Sequence, residues 1–122
     1  MESLIPQAYQ DEHLELDFDS GRAYLDSSLM ILTRKELELL SLLVANAGEI
    51  VPRDILLMKV WGYSREIRTR TLDVHIRRLR RKLSPYAGRY IETIFGTGYR
   101  FQRFRETRPV PQYSPVYFGL TA

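Results

Sequence analysis

The sequence predicts an α+β domain in which an N-terminal antiparallel sheet is followed by three helices and a C-terminal β-hairpin. Three observations predict this class. Alternating apolar and polar residues fill positions 13–32, apolar residues recur at helical spacing over positions 33–83, and β-rich residues return from position 90. An order of strands, helices and strands is typical of α+β folds.

Three short strands are predicted before the first helix. His13–Phe18 alternates apolar residues with acids, as a half-buried strand does. Arg22–Leu25 and Leu29–Leu32 follow after turn signals, so the three segments are expected to form an antiparallel meander. Residues 1–12 are polar and are predicted to be a linker or tail, with a short strand at Leu4–Ile5 as an option.

Two helices are predicted next. Thr33–Glu36 has the capping-box pattern, so a helix is expected to begin there and to end with Gly48 just beyond its C-terminus. Residues 50–51 are suited to a short bridging strand. A second helix is expected from residue 52 or 53 to Trp61, and Gly62 ends it.

The third predicted helix, residues 69–83, reads TRTLDVHIRRLRRKL. Apolar residues recur at spacings of four, three and four, which predicts one buried face: Leu72, Ile76, Leu79 and Leu83. The opposite face carries one valine and four arginines: Val74, Arg70, Arg77, Arg78 and Arg81. Arginine can bind guanine O6 and N7 together, or a phosphate. Thr69 is expected to cap this helix, and Asp73 to pair with Arg77.

A basic helical face alone is more often an ordinary solvated face, so the elements that follow decide its meaning. Tyr90–Phe95 and Tyr99–Phe101 flank a Gly96–Gly98 turn and predict a hairpin. A helix-turn-helix followed by such a hairpin is the winged-helix arrangement, in which the third helix enters the major groove of DNA. Residues 13–104 are predicted to form this domain. Residues 105–122, with three prolines and no periodicity, are predicted to be a tail.

The charge distribution indicates an anionic partner. The net charge is +3, but residues 1–32 carry one base against seven acids, and residues 65–82 carry eight bases against two acids. This split favours nucleic acid over a membrane as the partner. The chain has no cysteine, which excludes disulfides, thiol nucleophiles and cysteine zinc sites and fits a cytoplasmic protein.

Three segments give the sequence a close resemblance to a known family: LTRKELELLSLLVANAGEIVPRDILLMKVWGY, RTLDVHIRRLRRKL and IETIFGTGYRF. They resemble the C-terminal effector domain of OmpR/PhoB-type response regulators of two-component systems, over roughly residues 13–103. The resemblance implies a winged helix-turn-helix with a four-stranded N-terminal sheet. It also implies transcription control by binding double-stranded DNA at tandem half-sites, usually as a homodimer. A receiver domain normally precedes this module, so the chain is expected to be an excised domain or a receiverless relative.

The resemblance also implies DNA contacts at particular residues. Base or groove contacts fall on Arg78 and Arg80, of which Arg78 is the better candidate because it points outward. Phosphate contacts fall on four residues: Arg70, Thr71, His75 and Arg77. Val74 and Arg81 share the outward face, and Thr93 matches a position that can pack against bases.

Three aromatic positions have more than one interpretation. Trp61 and Tyr99 match backbone contacts, but each is about as well explained as a packing residue. Phe95 stands where many relatives carry an arginine that enters a narrow minor groove, so minor-groove readout is left open. Arg100 and Arg103 would then supply charge to the DNA backbone.

The alternative function is a protein-interaction module that uses the same fold to contact RNA polymerase or another regulator. Residues 63–68 lie where some relatives touch the polymerase, although a solvated loop that adds Arg65 and Arg68 to the phosphate-binding surface is preferred. The sequence shows no nucleophile–base pair, no metal-ligand spacing and no phosphate-cradling glycine loop, so no enzyme, cofactor or metal site is predicted. RNA binding is a weaker alternative because no aromatic stacking platform is evident.

Overall fold

The computed structural model describes residues 8–62 and 69–104, with the side chain of Thr69 outside the description. Seven strands and four helices are described in these ranges. The N-terminal strands are β1 (Ala8–Gln10), β2 (Leu14–Asp17), β3 (Arg22–Leu25) and β4 (Ser28–Met30). The central elements are α1 (Arg34–Ala45), β5 (Ile50–Pro52), α2 (Arg53–Trp61) and α3 (Thr69–Lys82). The last elements are α4 (Ala87–Tyr90), β6 (Ile91–Ile94) and β7 (Gly98–Phe101).

The first sheet is a four-stranded antiparallel meander with strand order β1-β2-β3-β4. Its register places Tyr9, Leu16, Ala23 and Met30 opposite one another in one row across the sheet. The first three are buried and the fourth packs against the core. Because side chains alternate along each strand, this row faces the helices while the acids between them stay in water.

The strand β1 completes the four-stranded sheet that the family resemblance implied, and it corrects the assignment made to residues 1–12. Residues 1–12 were predicted to be a linker or tail, but Ala8–Gln10 pair with β2 and bury Tyr9. Asp11 explains why this segment is held: its carboxylate accepts hydrogen bonds from the backbone of Leu14 (2.9 Å), from Tyr9 and from the Tyr90 hydroxyl (2.7 Å). The short strand suggested at residues 4–5 and the tail assigned to residues 105–122 stay predictions, because residues 1–7 and 105–122 lie outside the described residues.

The capping box at the start of α1 is confirmed. Glu36 N donates to Thr33 Oγ1 (3.2 Å), and Thr33 N donates to Glu36 Oε1 (2.9 Å). The predicted end was wrong by about one residue, because Asn46 is the C-cap and its side chain donates to Leu42 O (2.9 Å). Gly48 instead turns the chain with a φ of 89°, and its N–H bonds to Phe101 O.

The predicted core face of α3 is confirmed. Leu72, Ile76, Leu79 and Leu83 are each no more than 1% exposed. They form one core with residues of α1 and α2 and with both sheets. Burial of such side chains stabilises the fold by about 1.5–3 kcal/mol each, which fixes the rotation of α3 about its axis.

The hairpin β6–β7 belongs to a three-stranded sheet with strand order β5-β7-β6. The bridging strand predicted at residues 50–51 is therefore confirmed, and it joins the start of α2 to the hairpin. Gly98 is required at the crossing, since a Cβ there would lie 2.0 Å from Val51 O. The structure adds one unpredicted element, α4, whose last residue Tyr90 is fully buried. No helix in the described ranges is long and apolar enough to cross a membrane.

Candidate nucleic-acid interface

The surface of α3 divides into a buried stripe, two flanks and an exposed face. At about 100° per residue, Asp73 and Arg80 fall on the flank toward the hairpin, and His75 falls on the flank toward α2. We call residues 90–103 the wing. The exposed face lies between the flanks and carries four exposed arginines, which we call the arginine face: Arg70, Arg77, Arg78 and Arg81.

The arginine face has almost no anionic partners within the parts of the chain that the structure describes. The side chains of Arg70, Arg78 and Arg81 form no ion pair or hydrogen bond there. Arg77 has a longer-range attraction to Asp73, which contributes to lowering the pKa of that carboxyl. Val74 is partly exposed within the same face. Clustered guanidinium groups repel one another, so an external polyanion that neutralises them is bound favourably.

A buried ion pair anchors the C-terminal end of α3. Lys82 Nζ lies 2.6 Å from Glu36 Oε1, and Glu36 is 1% exposed. Desolvation raises the pKa of Glu36, but the bonds from Lys82 and Thr33 outweigh it and lower the pKa overall. The capping glutamate of α1 therefore also positions α3. No local sequence pattern indicated this pair, because its two members are 46 positions apart along the chain.

On the α2 flank, Trp61 packs edge-on against His75, with ring centroids 4.9 Å apart. His75 Nδ1 lies 2.8 Å from Thr71 O, and because a carbonyl only accepts, this nitrogen carries the proton. Lys35 Nζ donates to Val60 O (2.6 Å), which also ties the end of α2 to α1. The site therefore places Trp61, Thr71 and His75 side by side at the edge of the arginine face. The described residues contain no cluster of three or more metal-ligating side chains.

The expected pair between Asp73 and Arg77 was wrong. The two oxygens of Asp73 instead lie 2.9 and 3.0 Å from the two terminal nitrogens of Arg53, and the Tyr99 hydroxyl donates to Asp73 Oδ1 (2.6 Å). The Arg53 bonds, ahead of the opposing desolvation, lower the pKa of Asp73. Asp73 lies on the wing flank, where Arg53 binds both of its oxygens as a bidentate pair, whereas Arg77 is exposed on the arginine face.

Tyr99 is 5% exposed, and its hydroxyl is occupied by Asp73. Burial, followed by the bond to Asp73, raises the pKa of this phenol, so it stays protonated and remains a donor. The ring also lies beneath the guanidinium carbons of Arg53 and Arg80, at 5.9 and 5.8 Å from its centroid. These contacts place Tyr99 between α2, α3 and the wing.

Arg80 connects α3 to the wing. One of its terminal nitrogens donates to Ile91 O (2.9 Å) and to Thr93 Oγ1 (2.7 Å). This agrees with the expectation that Arg78, rather than Arg80, points outward. Thr93, predicted to pack against bases, therefore uses its hydroxyl to accept from Arg80.

The other two wing arginines are also engaged. Arg100 donates through Nε and a terminal nitrogen to Glu92 Oε1, at 2.9 and 2.8 Å. The guanidinium of Arg103 lies over the ring of Tyr9, 5.0 Å from its centroid. Phe95, in contrast, is 91% exposed at the tip of the hairpin.

The comparisons with known proteins agree with this geometry. A family model described as "Transcriptional regulatory protein, C terminal" matches residues 27–101, more than half of the chain. The chain belongs to this family. The resemblance to OmpR/PhoB-type response regulators and the predicted winged-helix fold are thereby confirmed.

Individual members of the family are similar over most of this chain. The transcriptional regulatory protein HprR of Escherichia coli is 44% identical over 89 residues, which cover 72% of this chain and 40% of HprR. The response regulator DrrB of Thermotoga maritima, an OmpR/PhoB homologue, has a TM-score of 0.73 and 33% identity, covering 79% of this chain and 44% of DrrB. The RstA DNA-binding domain of Klebsiella pneumoniae, solved in complex with the RstA box, has a TM-score of 0.69 and 29% identity, covering 80% of this chain and 98% of that domain. The chain spans 39–41% of the length of the curated relatives it matches.

Proposed function

We propose that this chain binds double-stranded DNA in a sequence-specific manner, as the effector domain of a two-component transcriptional regulator. The observation that carries the proposal is the arginine face, exposed on a helix whose other three sides are held by the protein. An α-helix fits the major groove, where guanine presents two acceptors to one guanidinium. The DNA complex of the similar RstA domain supports this assignment.

We divide the predicted site residues into two groups by their contacts. Residues that contact DNA directly are those on or beside the arginine face: Trp61, Arg70, Thr71, Val74, His75, Arg77, Arg78 and Arg81. Residues that position the wing are already engaged within the protein: Arg80, Thr93, Tyr99 and Arg100. Arg78 is assigned to a base, because the family resemblance implies base or groove contacts at Arg78 and Arg80, and of these two only Arg78 is exposed on the arginine face.

Two further partners follow from the family resemblance alone. A homodimer on tandem half-sites would place two arginine faces one helical turn of DNA apart. A contact between residues 63–68 and RNA polymerase stays a prediction, since these residues lie outside the described ranges. A regulator of this kind works in the compartment that holds the DNA, which in bacteria is the cytoplasm.

The test is selection from a random duplex pool at about physiological salt, with the parent chain, Arg78→Ala and Arg34→Ala run in parallel. Arg34 is a matched control, since its side chain is 90% exposed on α1, where it pairs with Glu38. We expect the parent and Arg34→Ala to enrich the same repeated half-site. On that site Arg78→Ala should lose about 1–3 kcal/mol of binding free energy, and much less on unrelated DNA.

Other outcomes would change the proposal. An equal loss on all duplexes would make Arg78 a phosphate contact. Retention of DNA without enrichment would contradict sequence-specific binding by this chain alone. If the parent retained no duplex even at low salt, the proposal would fail and the protein-interaction module would become the better account.

A further inference from the structure

The tip of the wing carries an aromatic ring that contributes nothing visible to folding. Phe95 is 91% exposed, whereas Tyr90, Tyr99 and Phe101 in the same wing are at most 5% exposed. The turn itself is made by the bond from Thr97 N to Ile94 O (3.0 Å) and by Gly96 with a φ of 78°. A smaller polar residue at position 95 would fit this turn equally well. The stability of the turn therefore does not explain why position 95 is a phenylalanine.

The tip is held in a fixed position beside the arginine face. Thr97 O accepts a hydrogen bond from Arg53 N at the start of α2, at 3.0 Å. The strands behind the tip are joined to α3 by Arg80 and by Tyr99 through Asp73. Arg77 lies next to the wing flank by helical position. The exposed ring is thus at the edge of the surface proposed to bind DNA, on a rigid hairpin.

The wing offers little free charge with which to bind a phosphate. Arg100 is neutralised by Glu92, Arg80 is directed at Ile91 and Thr93, and Arg103 lies over Tyr9. A phenylalanine adjacent to a DNA interface has a second way to bind, because apolar side chains pack against sugars and base edges in the minor groove.

We propose that Phe95 is a DNA contact that acts through its apolar ring, packed against the deoxyribose wall of the minor groove next to the segment entered by α3. This inference rests on the proposed function and adds a DNA-contacting residue to it. An apolar contact displaces no counterions, so it contributes affinity that does not depend on salt. The arginine face, in contrast, binds with a strong salt dependence.

The experiment measures the affinity of the parent, Phe95→Ala, Phe95→Arg and Leu29→Ala for one duplex recovered by selection, over a range of salt concentrations. Leu29 is the control, an apolar residue 55% exposed on β4. We expect Phe95→Ala to weaken binding by about tenfold at every salt concentration, the effect of removing a ring that becomes buried on binding. Phe95→Arg should steepen the slope of log K against log salt by about 0.9, because it adds one phosphate contact. Leu29→Ala should match the parent.

A second duplex tests whether the ring of Phe95 lies in the minor groove. Replacing flanking G·C pairs by inosine·C pairs removes the guanine amino group from the minor groove and leaves the major-groove acceptors in place. We expect this change to strengthen binding by the parent and to leave Phe95→Ala unaffected. An equal response of both proteins would overturn the minor-groove assignment.

The remaining outcomes are distinguishable. If the parent binds and Phe95→Ala binds equally well, the inference is wrong while the proposed function stands. If Phe95→Ala changes the salt slope, the ring acts by arranging charges, and the inference is also wrong. If the parent binds no duplex, both the proposed function and the inference fail.

Discussion

Arginine has two different environments on neighbouring sides of α3. On the arginine face, Arg70, Arg78 and Arg81 are exposed and have no partner among the described residues. On the wing side, Arg53, Arg80 and Arg100 each donate to a named acceptor at 3.0 Å or less. The same side chain is therefore used for two purposes. Engaged arginines hold the wing in place, and unengaged arginines are available to an external anion.

This difference matters because an arginine already bonded inside the protein has fewer donors and less freedom of movement left with which to bind DNA. A guanidinium that keeps its intramolecular partner acts by orienting its neighbours. Sequence position alone does not separate the two kinds, since Arg80 and Arg81 are adjacent in the chain. Their separation comes from a rotation of about 100° around the helix axis.

The largest effect on stability is expected at the anchor of α3. Lys82→Met leaves the carboxylate of Glu36 buried without its cation, and we expect the free energy of unfolding to fall by about 2–3 kcal/mol. Urea denaturation measures this change. Arg81→Met, at the exposed neighbour, is the matched control and should change stability by less than about 0.5 kcal/mol.

A double variant sharpens this prediction. Glu36→Gln combined with Lys82→Met removes both charges, and it should recover part of the loss because no unpaired carboxylate remains. A single Lys82→Met variant as stable as the parent would show that the end of α3 is held by its apolar stripe alone.

A smaller effect is expected at Asp73, whose side chain is 46% exposed, so that solvent screens its pair with Arg53. Asp73→Asn should lower the free energy of unfolding by about 1.5 kcal/mol at pH 7. The folded pKa of Asp73 is lowered below its unfolded value. Its contribution is therefore complete above the unfolded pKa of about 3.9 and is lost as the pH falls through the folded pKa.

Urea denaturation of the parent and Asp73→Asn from pH 7 down to pH 3 checks this prediction. The difference between the two proteins should be constant at the neutral end and should shrink in acid. A difference that is independent of pH would show that the carboxylate charge is not what stabilises the flank. Asp54→Asn, at an exposed residue of α2, is the control.

The smallest effect on stability is expected when one arginine from each environment is replaced and the two variants are compared. Arg80→Met loses the bonds to Ile91 O and Thr93 Oγ1 and should destabilise the chain by about 1 kcal/mol. Arg78→Met should leave stability within about 0.5 kcal/mol of the parent. Thermal unfolding followed by circular dichroism distinguishes these cases. Equal losses in the two variants would contradict the division into engaged and unengaged arginines.

Much of the fold was predictable because it depends on residues close together in the chain. The capping box of Thr33 and Glu36, the strand patterns and the apolar stripe of α3 are local patterns, and the structure contains each of them. The outward position of Arg78 follows from the same helical period. The short helix α4 had no such signal, since four residues are too few for a period to appear.

The sequence by itself determined the winged-helix order of elements, the buried face of α3 and the arginines opposite that face. Only the tertiary structure decided which polar groups meet: Asp73 with Arg53, Lys82 with Glu36, and Arg80 with the wing. It also decided that β1 joins the first sheet, because Asp11 bonds to Tyr90 from 79 positions away. The physical reason is that periodicity fixes where a side chain points on its own element, whereas its partner depends on how distant elements pack.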